Sequence, residues 1–430
     1  MRSTMRQRVA SGLIWAAPWA LGTPSAAQTP EEEMRALLAD ARVREAFRTI
    51  EQASARSRQD LIELTQIPAP PFGEERRARR FAELLTEAGA DSVWIDAEGN
   101  VLALRRGTGG GRAVAVDGHL DTVFPEGTDV TVRMRGDTLF APGVGDDTRG
   151  LVVLLELLRA MVAADLRAAG DIYFIGTVGE EGLGDLRGIK HILQEEGPRL
   201  DAWIAVDGGG HERIVHRAVG SHRYRVTFKG PGGHSWGAFG LANPHHALGR
   251  AIAHFAEAAD TLTRRGERAS YNVGRIGGGT SVNAIPFESW MEVDMRSEDP
   301  AQVAAVDSAL QAAVRRALEE ENVARRSGEP LAVEVKLVGD RPSGVLDPSL
   351  PLIQRAMAAT RAVGGEPQLG SGSTNANLPI SLGMPAITIG RGVGGESHAL
   401  GEWWLGRDAH LATQKALLIL LAEAGLTRRP

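Results

Sequence analysis

The sequence predicts an α/β protein, a mostly parallel sheet flanked by helices, with a second α+β domain inserted into it. Three observations carry that expectation. Short apolar, β-rich runs alternate with helical periodicity along most of the chain, the signature of a parallel sheet covered by helices. Between about residues 217 and 340 the order changes to strand, helix, strand, strand, helix, strand. At 430 residues the chain exceeds one ordinary compact core, so two domains, or one large domain with an insertion, are expected.

At the N-terminus, Arg2, Arg6 and Arg8 precede an apolar run from Gly12 to Gly22 that ends in Ser25-Ala26-Ala27. Residues 1–27 therefore read as a secretory signal peptide cleaved after Ala27, and the mature protein is expected to be exported, periplasmic or secreted. A buried N-terminal helix is the competing reading, but Pro18 and Pro24 would interrupt it. The run is also shorter than the roughly 20 residues of a membrane span, and no later stretch is long and apolar enough for one. A polar helical lead-in follows at about Pro30 to Leu64. Buried strands are expected at Ala113 to Val116, Asp171 to Ile175, Ala202 to Val206 and Ala386 to Ile389, with Leu151 to Ala163 as a crossover helix. Gly107 to Gly111 reads as a glycine-rich hairpin turn. In the insertion the expected strands are Tyr224 to Phe228, Ser270 to Ile276, Trp290 to Arg296 and Leu331 to Val338, and the helices Pro244 to Leu262 and Pro300 to Ala324. That order is the split βαβ, ferredoxin-like arrangement. The main domain then comprises residues 28–216 and 341–430 around an insertion of 217–340.

Composition narrows the chemistry. Charged residues make up 24% of the chain, the formal net charge is -6, and the two signs are interspersed, which weighs against a nucleic-acid binder. There is no cysteine, so any metal must be held by nitrogen and oxygen ligands.

Four acidic or histidine motifs follow the expected buried strands: Gly118-His119-Leu120-Asp121, Gly179-Glu180-Glu181-Gly182, Asp207-Gly208-Gly209 and Gly394-Gly395-Glu396-Ser397-His398. A fifth, Gly145-Asp146-Asp147, precedes the Leu151 helix. In open α/β sheets ligands bind beyond the carboxyl ends of the strands, so motifs far apart in sequence can converge there. His119 and Asp121 are two apart on an extended segment and point to one side, where the carboxylate can accept a hydrogen bond from the imidazole and fix its tautomer. Glu180 and Glu181 are adjacent and diverge, so one could bind metal while the other acts as a base. Asp146 is the candidate for a carboxylate shared by two divalent ions, which together would polarise a scissile carbonyl and lower the pKa of a bridging water towards ~7.

Taken together, His119-Leu120-Asp121-Thr122-Val123, Asp146-Asp147, Glu180-Glu181, Asp207, and His398 with Glu402 resemble in order and spacing the dinuclear zinc metallopeptidase superfamily of glutamate carboxypeptidase, aminoacylase, succinyl-diaminopimelate desuccinylase and peptidase T. The resemblance implies a zinc-exopeptidase type of fold with an inserted lid and dimerisation domain. It implies one ion, zinc or alternatively cobalt or manganese, held by His119, Asp146 and Asp207, and another by Asp146, Glu181 and His398. Glu180 would be the general base and Asp121 would orient His119. In the insertion, Gly233-His234-Ser235, Asn283-Ala284-Ile285-Pro286 and Asp294-Met295-Arg296 match family segments. There His234, Asn283 and Arg296 would contact substrate or stabilise the transition state, His234 from the partner subunit of a homodimer. The implied reaction is hydrolysis of an amide bond in a small peptide, by a dipeptidase or aminopeptidase. An N-acyl-amino-acid amidohydrolase or a carboxypeptidase is the alternative.

Two segments, which the resemblance places near the substrate cleft, depart from the family pattern. Asp146-Asp147-Thr148-Arg149-Gly150 stands where many members have Asp-Asp-Lys-Gly-Gly. Ser373-Thr374-Asn375-Ala376-Asn377 stands for a more usual Ser-Asp-Gly-Asn, with Ser373 and Asn375 expected as substrate contacts. Asp207 replaces a more common glutamate, which resembles the aminopeptidase and dipeptidase members. His211, His216, His222, His245 and His246 read as surface or helix residues. A rival reading takes Gly233-His234-Ser235-Trp236-Gly237 as a nucleophile elbow with Ser235 as nucleophile, but the strand before it and the helix after it that the elbow requires are both missing from the pattern.

Overall fold

A computed structural model describes residues 28–427. The expected signal peptide, residues 1–27, lies outside the described residues. Among those described, no helix is long and apolar enough to cross a membrane.

The polar lead-in forms three helices, Pro30–Ala39, Ala41–Gln52 and Ser54–Thr65. The first two have side-chain caps at their starts. Thr29 and Glu32 form a reciprocal capping box at the first helix, and the Asp40 carboxylate accepts from the Arg42 N–H to cap the second.

Four parallel strands, in the spatial order Ile172–Thr177, Val114–His119, Ala202–Val206 and Ala386–Ile389, form the centre of a nine-stranded sheet. Antiparallel partners flank them, Val101–Arg105 on one side and Arg213–Ala218 on the other. Every residue of Val114–His119 and Ala202–Val206 is buried, as expected of strands covered on both faces. The helix Thr148–Ala163, whose apolar run is fully enclosed, packs against the first of these. Because the four strands run the same way, their carboxyl ends share one edge of the sheet.

The glycine-rich segment Gly107 to Gly111 does not close a hairpin. The strands on either side of it are separated by Ile172–Thr177, so the segment crosses the end of an intervening strand. Its glycines serve close approach: a Cβ on Gly111 would sit 2.1 Å from the Gly170 nitrogen.

The second sheet is antiparallel, in the order Ala269–Gly278, Glu288–Ser297, Gly220–Lys229 and Ala332–Arg341, with helices Pro244–Thr263 and Pro300–Ala324 on one face. This is the ferredoxin-like order, with its own core around Phe228, Phe255, Met291 and Leu310. Burial alternates strictly along Glu288–Ser297. Met291, Val293 and Met295 face the helices, and the period of two turns Trp290, Glu292, Asp294 and Arg296 to the open face.

Two sequence expectations change here. Arg149 lies inside the main domain instead of lining a cleft: it is 1% exposed and donates through both terminal nitrogens to Glu156, at 2.8 and 2.9 Å. Thr148 donates to the Gly143 carbonyl at 2.7 Å. His216 is a buried strand residue whose Nδ1 lies 2.8 Å from the Leu346 carbonyl, and His222 is a half-buried strand residue paired with Asp307 at 2.9 Å.

Removing one partner of a buried ion pair strands the other charge, whereas removing both spares that penalty. Arg149→Leu should therefore lower stability by about 3–5 kcal/mol, and the double variant Arg149→Leu/Glu156→Leu should recover most of the loss in urea denaturation followed by circular dichroism. Equal losses in the single and double variants would contradict this account of the pair.

Candidate metal centre

The shared edge of the four parallel strands collects the motifs. His119 is the last residue of its strand, Glu180 and Glu181 follow Thr177, and Asp207 directly follows Val206. His398 lies in the loop beyond Ile389, in the left-handed conformation with φ of 68°, a conformation uncommon for a residue with a side chain. Asp146 stands just before the helix Thr148–Ala163.

That Asp146 loop is held from the far end of the chain. The buried Glu402 carboxylate accepts from the backbone N–H of Gly143 and Gly145, each at 2.9 Å, and of Asp146 at 2.7 Å. Gly145 permits the approach, since a Cβ there would stand 3.0 Å from Glu402 Oε1.

With the loop fixed, Asp146 turns one oxygen to each histidine. Its Oδ1 is 3.2 Å from His119 Nε2 and its Oδ2 is 3.3 Å from His398 Nε2. His398 Nε2 is also 2.9 Å from Glu181 Oε1. Two sets of three donors result, His119 with Asp146 and Asp207, and Asp146 with Glu181 and His398, each within 4.8 Å and joined at Asp146. A further grouping of His119, Glu180 and Glu181 meets the same limit.

The donors are imidazoles and carboxylates, a set suited to zinc, cobalt or manganese. The electrostatics fit a cation as well. Hydrogen bonds to Asp146 and Glu181 push His398 up to about 10. Burial alone would lower His119, but its contacts with Asp121 and Asp146 outweigh this and raise it well above the usual imidazole range. The crowded carboxylates thus draw protons onto both rings, and divalent ions would meet the same demand with the rings neutral. Asp147 is raised well above the carboxylate range by burial, and its Oδ1 is buried without a hydrogen bond.

Asp121 touches His119 as expected and has a second partner as well. The nearer acceptor for His119 Nδ1 is the Asp121 backbone carbonyl at 3.0 Å, with the carboxylate at 3.5 Å. The carboxylate also accepts from the N–H groups of Glu180 at 3.0 Å and Glu181 at 2.8 Å, so it fixes the backbone of the glutamate pair. Burial raises its pKa, but these bonds and His119 prevail and hold it below the usual carboxylate value.

Glu180 is buried, and burial pushes it up to about 8, against the pull of the Arg341 guanidinium. Arg341, the last residue of the inserted sheet, donates to Glu180 Oε1 at 2.9 Å, to the Glu180 carbonyl, and to Ser373 Oγ at 3.2 Å. A second arginine of that sheet, Arg223, donates to the Gly182 carbonyl and to Asp294 at 2.8 Å. Beside the Gly182-Leu183 turn lies a cavity of about 300 Å³ lined by Arg223, Arg275 and Arg296 together with Glu292 and Asp294.

The remaining expected contacts are dispersed. Ser373 reaches the site through Arg341. Asn375 does not face the cleft: it is 2% exposed and donates to Asp117 at 2.6 Å and Thr177 at 2.7 Å, beneath the metal ligands. His234 and Asn283 sit together on the far loops of the insertion, where His234 pairs with Ala284 in a two-residue bridge. His234 Nδ1 accepts from the N–H of Trp236 at 3.2 Å and Gly237 at 3.3 Å, and the Asn283 carbonyl accepts from the Ser235 N–H at 2.9 Å. Ser235 is followed by turn residues instead of a helix, so the elbow geometry is missing.

Sequence patterns missed two cations, Arg341 and Arg391. Arg391 donates to Asp207 Oδ1 at 2.8 Å and is 5% exposed. An arginine two residues beyond a fully buried strand, at the ligand-bearing edge, was the available signal.

Comparison with known proteins agrees with this geometry. The chain is 27% identical over 354 residues to a succinyl-diaminopimelate desuccinylase of Corynebacterium glutamicum, covering 77% of this chain and 88% of that protein. The aminopeptidase PepT of Bacillus cereus superposes with a TM-score of 0.66 at 21% identity, over 86% of this chain and 98% of that one. The dipeptidase Dug1p of Saccharomyces cerevisiae superposes with a TM-score of 0.72 at 16% identity, over 89% of this chain and 98% of that one. The model of peptidase family M20/M25/M40 matches residues 115–423, which contain every candidate metal ligand, and the chain is a member of that family of metal-dependent amide hydrolases.

Proposed function

We propose that the protein is a two-metal peptidase, a dipeptidase or aminopeptidase, that hydrolyses the amide bond of a small peptide with Glu180 as general base. The observation that carries this reading is the pair of ligand sets joined at Asp146, with Glu180 buried next to them. When bound, divalent ions, zinc in this reading, supply Lewis-acid polarisation of the carbonyl and acidify the attacking water. Glu180 takes the proton of that water and delivers it to the amide nitrogen as the C–N bond breaks. Arg341 holds the Glu180 side chain in place through its Oε1, and Asp121 holds its backbone.

The arginine-lined cavity favours a second reading. A free α-carboxylate on the amine half of the substrate would meet Arg296 and Arg275 there, as a carboxypeptidase or an N-acyl-amino-acid amidohydrolase requires. A free dipeptide offers the same group, so the cavity weighs against only an aminopeptidase acting on longer peptides. The likeness to a succinyl-diaminopimelate desuccinylase points the same way. His234, exposed on a distal loop, belongs in this proposal to the site of a second copy, with the chain a homodimer through the inserted domain. Export by residues 1–27 is part of the same proposal.

Three measurements test the reading. Glu180→Ala should lower kcat by roughly 10²–10⁴-fold while the protein keeps its metal content; an unchanged rate removes Glu180 from the mechanism. Chelation should abolish hydrolysis and Zn²⁺ should restore it, whereas labelling of Ser235 by a fluorophosphonate with loss of activity would favour a serine mechanism. Across free dipeptides, N-blocked dipeptides and N-acyl amino acids, the highest kcat/KM is expected for free dipeptides; preference for N-acyl amino acids would replace the first reading with the second.

A further inference from the structure

The two ligand sets are matched in kind. Each has one histidine, the shared Asp146, and one further carboxylate, Asp207 in one and Glu181 in the other. Their neighbours differ. Arg391 is buried against the Asp207 set: its Nη1 donates to Asp207 Oδ1 at 2.8 Å, its Nη2 is 3.9 Å from Asp146 Oδ1, and its Nε is 3.7 Å from Asp147 Oδ1. The oxygen of Asp146 that it approaches is the one facing His119, and the oxygen facing His398 is the other. At the opposite end the nearby guanidinium, Arg341, bonds to Glu180 and not to the ligand Glu181.

We propose that Arg391 makes the two metal positions unequal, so that the Asp146–Glu181–His398 position fills first and the His119–Asp146–Asp207 position binds its ion more weakly. The inference rests on the two-metal reading above. Its cause is competition for charge. The guanidinium already uses one Asp207 oxygen, and a divalent ion on the same carboxylate meets a fixed positive charge across a single side chain. Orienting a ligand through one charge-assisted hydrogen bond strengthens binding modestly, while repulsion between a dication and a guanidinium at contact range carries twice the unit-charge Coulomb term. Burial of His119 magnifies the repulsion as well as the attraction, because both act through the same low-dielectric interior.

The test is a titration of the metal-stripped full chain with Co²⁺, followed by its visible absorption, and with Zn²⁺, followed by calorimetry. Wild type should show two steps separated by roughly tenfold or more in affinity, the range over which groups bonded to metal ligands act. Arg391→Gln should tighten the weaker step by roughly tenfold and leave the tighter one unmoved, while Arg391→Lys, which keeps the charge, should keep the separation. Asp207→Asn should remove the weak step and His398→Ala the tight one, which assigns the steps without relying on the folding of the Arg391 variants. Two equal steps in wild type, or a weaker second step in Arg391→Gln, would overturn the proposal. A single equivalent bound by wild type and Arg391→Gln alike would instead refute the two-metal reading.

Discussion

The centre depends on one set of hydrogen bonds, those from the Gly143, Gly145 and Asp146 N–H groups to the Glu402 carboxylate. A carboxylate accepting three backbone donors is a strong, directional anchor. Here it ties the loop before the first buried helix to a segment more than 250 residues downstream. Asp146 can show one oxygen to each histidine only while that loop is held, and the inserted domain lies between the two halves of the anchor in sequence. The main sheet must therefore close around the insertion before the centre exists.

Charge balance is the next constraint. Asp121, Asp146, Asp147, Glu180, Glu181 and Asp207 converge at one edge of the sheet, and burying that many carboxylates is costly unless positive charge is supplied. Two arginines and two histidines supply part of it. Arg391 stays protonated because the surrounding carboxylates outweigh its burial. The same carboxylates raise both histidines, drawing positive charge towards the centre.

The inserted domain meets the Glu180–Gly182 loop through its open face. Strict alternation along Glu288–Ser297 divides apolar residues, which pack on the helices, from Asp294 and Arg296 on the other face, where Arg223 of the neighbouring strand pairs with Asp294. Two of its arginines, Arg223 and Arg341, then grip the loop 180–182 from the same sheet. Any movement of the insertion would be felt at Glu180 and at the adjacent candidate ligand Glu181.

Much of this was legible in one dimension. Buried parallel strands read as continuous apolar runs, one-sided strands as alternation, and the ligand motifs fall just past strand ends because only there does a parallel sheet expose a common edge. Which oxygen of Asp146 faces which histidine depended on tertiary structure, as did the use of the Asp121 carboxylate on the glutamate backbone as well as beside the imidazole. So did the withdrawal of Arg149 and Asn375 into the interior: a polar residue in a helix or loop gives no sign in sequence of whether a partner such as Glu156 or Asp117 waits inside. The sequence by itself determined which side chains could bind metal and on which edge they would gather. Only the folded chain decided how their charges are shared, because the carboxylate that each of Arg341 and Arg391 meets, and the backbone N–H groups that Glu402 accepts from, come from segments distant in sequence.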